Sequence, residues 1–191
     1  MELKQRILEI SKKLGLSHIG SCLSVLPILE EVYVTKTIDD KVILDGAHSH
    51  LAHLLYLYPD SIDDFEPIFL IKKYGIHCDI RTGCDASGGS LGHGIGIGIG
   101  MAIVDRRRAI YVICTDGSLQ EGSEWEALRI KKELKLDNLK VIVNMNGYTA
   151  LAKIDKEELS SRLKVFCPDI DIRYTSNTKE FDGIYGHYKV L

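Results

Sequence analysis

Residues 109–147 read AIYVICTDGSLQEGSEWEALRIKKELKLDNLKVIVNMNG: an unbroken β-branched apolar run, a helical segment, and a second apolar run. Runs of this kind suit strands covered on both faces of a parallel sheet. The intervening SEWEALRIKKELKL has helical spacing, with Ser123 and Glu126 in capping-box relation. Strand, helix and strand in this order form a βαβ unit, so the strands should run parallel with a right-handed crossover. Turn signals follow both strands, DG after the first and NG after the second, and a parallel sheet brings both to the same carboxyl edge.

Outward from this unit the α/β pattern continues. Leu3, Ile7, Ile10 and Leu14 recur at helical spacing before Gly15. VILDGAH, residues 42–48, begins as a strand and enters a turn, and LAHLLYLY resumes a helix that Pro59 ends. Residues 60–89 are mixed and turn-rich, as expected of surface loops around a site, and the pattern beyond Lys153 is less regular. No repeat or compositional break divides the 191 residues, so the expectation is one domain over residues 1–191, a three-layer α/β sandwich with a mainly parallel sheet.

Composition narrows the function classes. At 45% hydrophobic and 27% charged, with a net charge of −3, the chain has no general attraction for nucleic acid or anionic lipid. The dense basic cluster Arg106, Arg107, Arg108 reads as a solvated turn. No run approaches the ~20 apolar residues of a membrane span, and the charged amino terminus is no signal peptide, so the expected location is cytoplasmic. Cys22, Cys78, Cys84, Cys114 and Cys167 are scattered and lack a CxxC pair, which argues against both a disulfide framework and a zinc site. Reduced thiols are expected.

The carboxyl edge carries the chemistry. Asp116 follows the first strand and Asn146 the second, where open α/β sheets bind ligands. A carboxylate and a carboxamide oxygen, with backbone carbonyls in the NMNGYTA loop, are hard ligands suited to Mg²⁺ bridging a diphosphate. Gly117 leaves its amide open to a phosphate oxygen. Either turn alone is ordinary; both at matched strand ends point to a bound anion and cation.

TDGSLQEGSEWEAL followed by KLDNLKVIVNMNGYTA resembles the thiamine diphosphate motif of the transketolase family, a GDG followed by an asparagine loop about thirty residues later. DASGGSLGHGIGIGIGMA resembles the family's TGSLGHG segment, most closely where transketolase is split into two polypeptides. LSHIGSCLS and VILDGAHSHLAHLLY resemble its GHPGSSLS and VLSKGHASPALY. Thr115 departs from the first glycine of GDG, and Asn144 stands where an acidic residue is common.

The resemblance implies a thiamine diphosphate-binding fold with Mg²⁺ (or Ca²⁺ or Mn²⁺) on the side chains of Asp116 and Asn146 and the carbonyl of Tyr148. Gly117 would meet the diphosphate, Gly89 and Leu91 would present backbone to the aminopyrimidine, and His93 would lie near the diphosphate. His18, His48 and His77 would surround the reacting carbon and the sugar hydroxyls, Glu121 would join a proton relay across a subunit interface, and His187 would match a late active-site histidine. His50 and His53, on an apolar helix, read as packing residues. The family's pyrimidine-binding and C-terminal domains have no counterpart in the sequence. The implied activity is therefore two-carbon ketol transfer between sugars or sugar phosphates, carried out with a separate pyrimidine-binding subunit in a homodimer or α2β2 heterotetramer. The alternatives are a non-catalytic cofactor-binding homologue and a 2-oxo acid decarboxylase or synthase subunit.

One further stretch needs a reading: GGSLGHGIGIGIGMAIV, residues 88–104. As a strand it would put every isoleucine on one face and nothing on the other. As a helix it stacks Gly92, Gly96 and Gly100, with Gly94 and Gly98 as a second ridge, and lets neighbouring backbone approach closely. The expectation is a cofactor-facing loop over residues 89–92 leading into a closely packed helix near a subunit interface.

Overall fold

The computed structural model describes residues 2–149, 151–176 and 179–191. Its sheet contains β1 (Lys41–Leu44), β2 (Ile110–Thr115), β3 (Leu139–Met145) and β4 (Asp171–Tyr174), in that spatial order. All three pairings are parallel, and β2 and β3 run in register from Ile110↔Leu139 to Thr115↔Asn144. The expected βαβ unit is present, its helix being α6 (Gly122–Glu133).

Alternation along the strands sorts the core into two layers. Val42, Leu44, Ile113 and Ile142 face a cluster formed with α1 (Leu3–Leu14), α2 (Ile19–Thr35), α3 (His50–Leu57) and α4 (Phe65–Tyr74). Ile43, Val112, Cys114 and Val143 face the opposite cluster, formed with α5 (Gly94–Val104), α6 and α7 (Lys156–Phe166). Helices on both faces are why these strands carry apolar residues at nearly every position. A short helix, α8 (Gly183–His187), lies against α2.

Several local expectations are corrected. Residues 60–89 are more than loop, because α4 lies within them, its start held by the Arg6–Asp64 ion pair, with Nε 2.8 Å from the carboxylate. The tail beyond Lys153 carries α7 and the edge strand β4. The capping box is absent: α6 begins one residue earlier, Ser123 Oγ donates to the Gly92 carbonyl at 2.7 Å, and Glu126 pairs with Arg129. The arginine cluster is structural at one position, since Arg106 donates to the carbonyls of Leu134 and Lys135 beyond the end of α6.

The alternating glycines from Gly94 onward form a helix, α5, with Gly92 in the loop before it, and within α5 the close approach is made by Gly94 and Gly98. A Cβ at Gly98 would lie 2.6 Å from Val112 Cγ2 and 2.9 Å from Leu139 Cδ1, and one at Gly94 would lie 2.5 Å from Asp45 Cβ. Gly96 and Gly100 meet nothing within 4 Å. Gly98→Ala should therefore lower stability by about 1–3 kcal/mol through overpacking. Gly96→Ala should raise it by about 0.5–1 kcal/mol through lost backbone freedom in the unfolded chain. Denaturant midpoints of the two variants check this, and the reverse order would contradict the assignment of the two faces.

Candidate active site

Three turns at the carboxyl edge of the sheet build the site. After β1 the chain passes through Asp45 and Gly46 into a helical turn carrying His48. The Asp45 carboxylate accepts the amides of Gly92 at 3.1 Å, His93 at 3.0 Å and Gly94 at 2.7 Å. It thus satisfies the open amino end of α5 and moors the SLGHG loop to β1.

After β2, Asp116 is completely buried, and its carboxylate accepts the amides of Gly117 at 3.1 Å and of Gly147 in the loop after β3. Burial pushes its pKa up to about 6, opposed by these amides. Thr115 suits the position usually given to glycine because its Oγ1 accepts the Ser118 amide at 3.0 Å while Ser118 Oγ accepts the Thr115 amide at 2.8 Å. After β3, Asn146 Oδ1 accepts the Tyr148 amide at 3.0 Å, and Tyr148 pairs across to Lys153. Ala150, in the same loop, lies outside the described residues. Asn144 ties the layers together, donating to Ser24 Oγ at 3.0 Å and accepting from Thr175 at 2.5 Å.

Between these turns lies a cleft of about 190 Å³ lined by His18, His48, His77, Gly89, Leu91, Gly117, Asn146 and Tyr148, with Thr149 and His187 also present. The ring centroids of His18 and His48 are 5.2 Å apart, and His187 lies 4.4 Å from His18. A Cβ at Gly89 would sit 3.8 Å from the His77 ring. His18 has a left-handed backbone (φ 63°), and its amide N–H donates a hydrogen bond to the His187 carbonyl at 3.0 Å. Such a conformation costs free energy for a non-glycine residue and fixes its side chain. Burial lowers the pKa of His18 to about 4 and that of His48 to about 3, with the other histidines adding to the effect. His77 and His187 are lowered too, mainly by burial. All four are neutral at neutral pH, able both to give and to accept protons.

Not every expected residue is in the cleft. Asp116 lies behind it, while Glu121 and His93 are exposed outside it. Glu121 nevertheless abuts the loop: a Cβ at Gly92 would lie 2.6 Å from its Cβ. Asp45 was missed by sequence reasoning, although a DG turn after a strand is the signal that pointed to Asp116. Glu124 was missed as well; it is buried, and desolvation with the nearby Asp45 charge pushes its pKa up to about 8.

A family model described as 1-deoxy-D-xylulose-5-phosphate synthase matches residues 1–165. The chain belongs to the transketolase and 1-deoxy-D-xylulose-5-phosphate synthase family. Members of this transketolase-like family use thiamine diphosphate. The chain is 30% identical over 172 residues to the 6-deoxy-6-sulfo-D-fructose transketolase subunit SqwG of a Clostridium species, covering 77% of this chain and 62% of that protein. It is 29% identical over 162 residues to an apulose-4-phosphate transketolase subunit of Phocaeicola vulgatus, covering 75% and 58%. The chain thus spans about 60% of the length of these two relatives. The crystal structure of transketolase from Campylobacter jejuni matches with a TM-score of 0.80 at 20% identity, over 97% of this chain and 39% of that one. That likeness shows the fold. Among the described residues, no helix is long and apolar enough to cross a membrane.

The neutral histidines make a stability prediction. In the unfolded chain His48 takes up its proton near pH 6.5, whereas in the fold it does so only near pH 3. Between those values the unfolded state binds more protons, so stability is full above about 6.5 and falls as pH drops toward 3. Denaturant unfolding across this range should show a shallower acid slope for His48→Gln than for the unmodified chain. An unchanged slope would contradict the buried, neutral assignment.

Proposed function

We propose that this chain is the diphosphate-binding subunit of a transketolase-like enzyme that transfers a two-carbon ketol unit between sugars. The observation that carries this reading is the convergence of Asn146 and Tyr148 with His18, His48 and His77 on one cleft at the carboxyl edge of the sheet, with the Asp116 carboxylate buried behind it and bonded to the Gly147 amide of the same loop.

The residues present fit thiamine diphosphate and a divalent cation. A buried carboxylate whose charge is disfavoured, a neighbouring carboxamide and a loop carbonyl form a hard oxygen set for Mg²⁺, with Ca²⁺ or Mn²⁺ as substitutes. Gly117, Gly89 and Leu91 line the same cleft as narrow, backbone-rich walls. Bound there, thiamine diphosphate would supply a carbon nucleophile for a carbonyl and a sink for the electron pair of carbon–carbon cleavage.

The chain's own residues do the rest. Asp116 and Asn146 hold the cation, and Asp45 keeps the loop at residues 89–92 in place through the amides at 92–94. His18, His48 and His77, neutral at working pH, donate to and accept from substrate hydroxyl and carbonyl oxygens. The rings of His18, His48 and His187 pack edge-on against one another along the cleft wall, which limits their rotation. Glu121, exposed at the edge of the cofactor loop, reaches toward a second, pyrimidine-binding subunit, where it completes the proton relay. Support for a partner comes from relatives named as transketolase subunits, and from a cleft smaller than the ~300 Å³ at which sites begin to enclose a whole ligand.

The matching family model is described as a synthase, which favours a second reading, a decarboxylase or synthase subunit that we propose would act on a 2-oxo acid. Assays of the chain with its partner subunit, offering ketose or 2-oxo acid as donor, separate the two. Turnover of neither donor in any pairing would favour a cofactor-binding protein without catalysis. Asp116→Ala should weaken Mg²⁺-dependent thiamine diphosphate binding by ~100-fold or more in calorimetry, beyond the range for residues that only orient ligands. His77→Ala should leave that affinity nearly unchanged while lowering sugar turnover by ~10²-fold or more. Binding that survives Asp116→Ala, or equal losses in affinity and turnover for His77→Ala, would contradict these assignments.

A further inference from the structure

Behind the His48 and His77 wall lies a second cluster that the proposed chemistry does not use. His53 on α3, Cys78 directly after His77, and Cys84 ahead of the cofactor loop are all buried, and their ligand atoms lie within 4.8 Å of one another. Cys84 Sγ is 3.6 Å from His53 Nδ1. A tetrahedral zinc with Zn–S of about 2.3 Å and Zn–N of about 2.05 Å has an S···N edge of about 3.6 Å. The other ring nitrogen of His53 is 2.8 Å from the Tyr33 hydroxyl, the outer-shell hydrogen bond that fixes the tautomer and orientation of a metal-bound histidine.

His50 precedes His53 by one turn of α3 and is completely buried. Its Nε2 is 2.9 Å from Thr82 Oγ1, which in turn is 3.5 Å from Cys84 Sγ. Linked to Cys84 through Thr82, His50 is the candidate for a fourth ligand.

We propose that His53, Cys78 and Cys84, completed by His50, hold a structural zinc ion. Thiolate and imidazole ligands select zinc over the hard cation expected at Asp116. Binding displaces one proton from each thiol, and two thiolates balance the charge of Zn²⁺, so the buried site is electrically neutral.

The ion would brace the active-site wall. The Cys78 amide donates to the Ala47 carbonyl at 3.1 Å, beside His48, and its carbonyl accepts the Gly88 amide at 3.0 Å, at the start of the cofactor loop. Zinc would therefore fix His77 and the 85–89 segment from behind. The scattered cysteine spacing that argued against zinc in the sequence is gathered by the packing of α3 against the 75–85 turn. No part of the inference depends on thiamine diphosphate binding.

The test is metal analysis of the purified full chain, followed by cobalt exchange. We expect one zinc per chain after dialysis without added metal, and sulfur-to-cobalt charge-transfer absorption when Co²⁺ replaces it. Cys84→Ser and Cys78→Ser should abolish both signals, and Cys167→Ser should keep them. Tyr33→Phe should weaken zinc affinity ~10–100-fold. The wild-type measurements stand even if a cysteine variant fails to fold. A wild-type chain that carries no zinc and gives no charge-transfer band would overturn the proposal. So would metal retained in both cysteine variants, or a Cys78–Cys84 disulfide in the isolated protein.

Discussion

The Asp116 carboxylate is completely buried at the end of β2, where it accepts backbone amides from its own turn and from the loop after β3. Because β2 and β3 end in register, with Thr115 opposite Asn144, one side chain can span both loops. Its charge in an apolar setting is costly, which pushes its proton affinity up and makes a cation partner favourable. The Gly117 turn and the Asn146 and Tyr148 loop take their positions from this clasp.

A second carboxylate does the equivalent work one strand away. Asp45 at the end of β1 takes the amides at residues 92–94, so the loop at residues 89–93 and α5 hang from the sheet as Asp116's loops do. Gly94 and Gly98 let α5 settle close enough for this, since a side chain at either would collide with Asp45 or Val112. The histidines then face the cleft from segments packed on the other side of the sheet, the residue before α2, the turn before α3 and the segment after α4. Two layers meet at one edge, and that meeting is the site.

The parts legible in sequence were those with a local signature. β2 and β3 announce themselves because burial on both faces demands an unbroken apolar run. Asp116 and Asn146 stand out because turn residues recur at matched strand ends. β4 was not legible: it is a four-residue edge strand, DIRY, in which Asp171 and Arg173 pair with each other rather than forming an apolar run. In α7, only Leu159 and Leu163 are buried, while Val165 and Phe166 are exposed, so the apolar residues do not mark a clean core face. Asp45 escaped notice because its partners are backbone amides 47 to 49 residues away. Ser123 misled because a hydroxyl three residues before a glutamate fits a cap on paper, whereas folding gives it to the Gly92 carbonyl.

The central claim is that the Asp116 and Asn146 edge holds the cation of the cofactor. It is tested most directly by anomalous diffraction at the manganese edge from crystals grown with Mn²⁺ and thiamine diphosphate. The account predicts one peak within coordination distance of the Asp116 and Asn146 side chains and the Tyr148 carbonyl, next to the diphosphate. A cation bound elsewhere, with Asp116 still engaged only by the Gly117 and Gly147 amides, would contradict it.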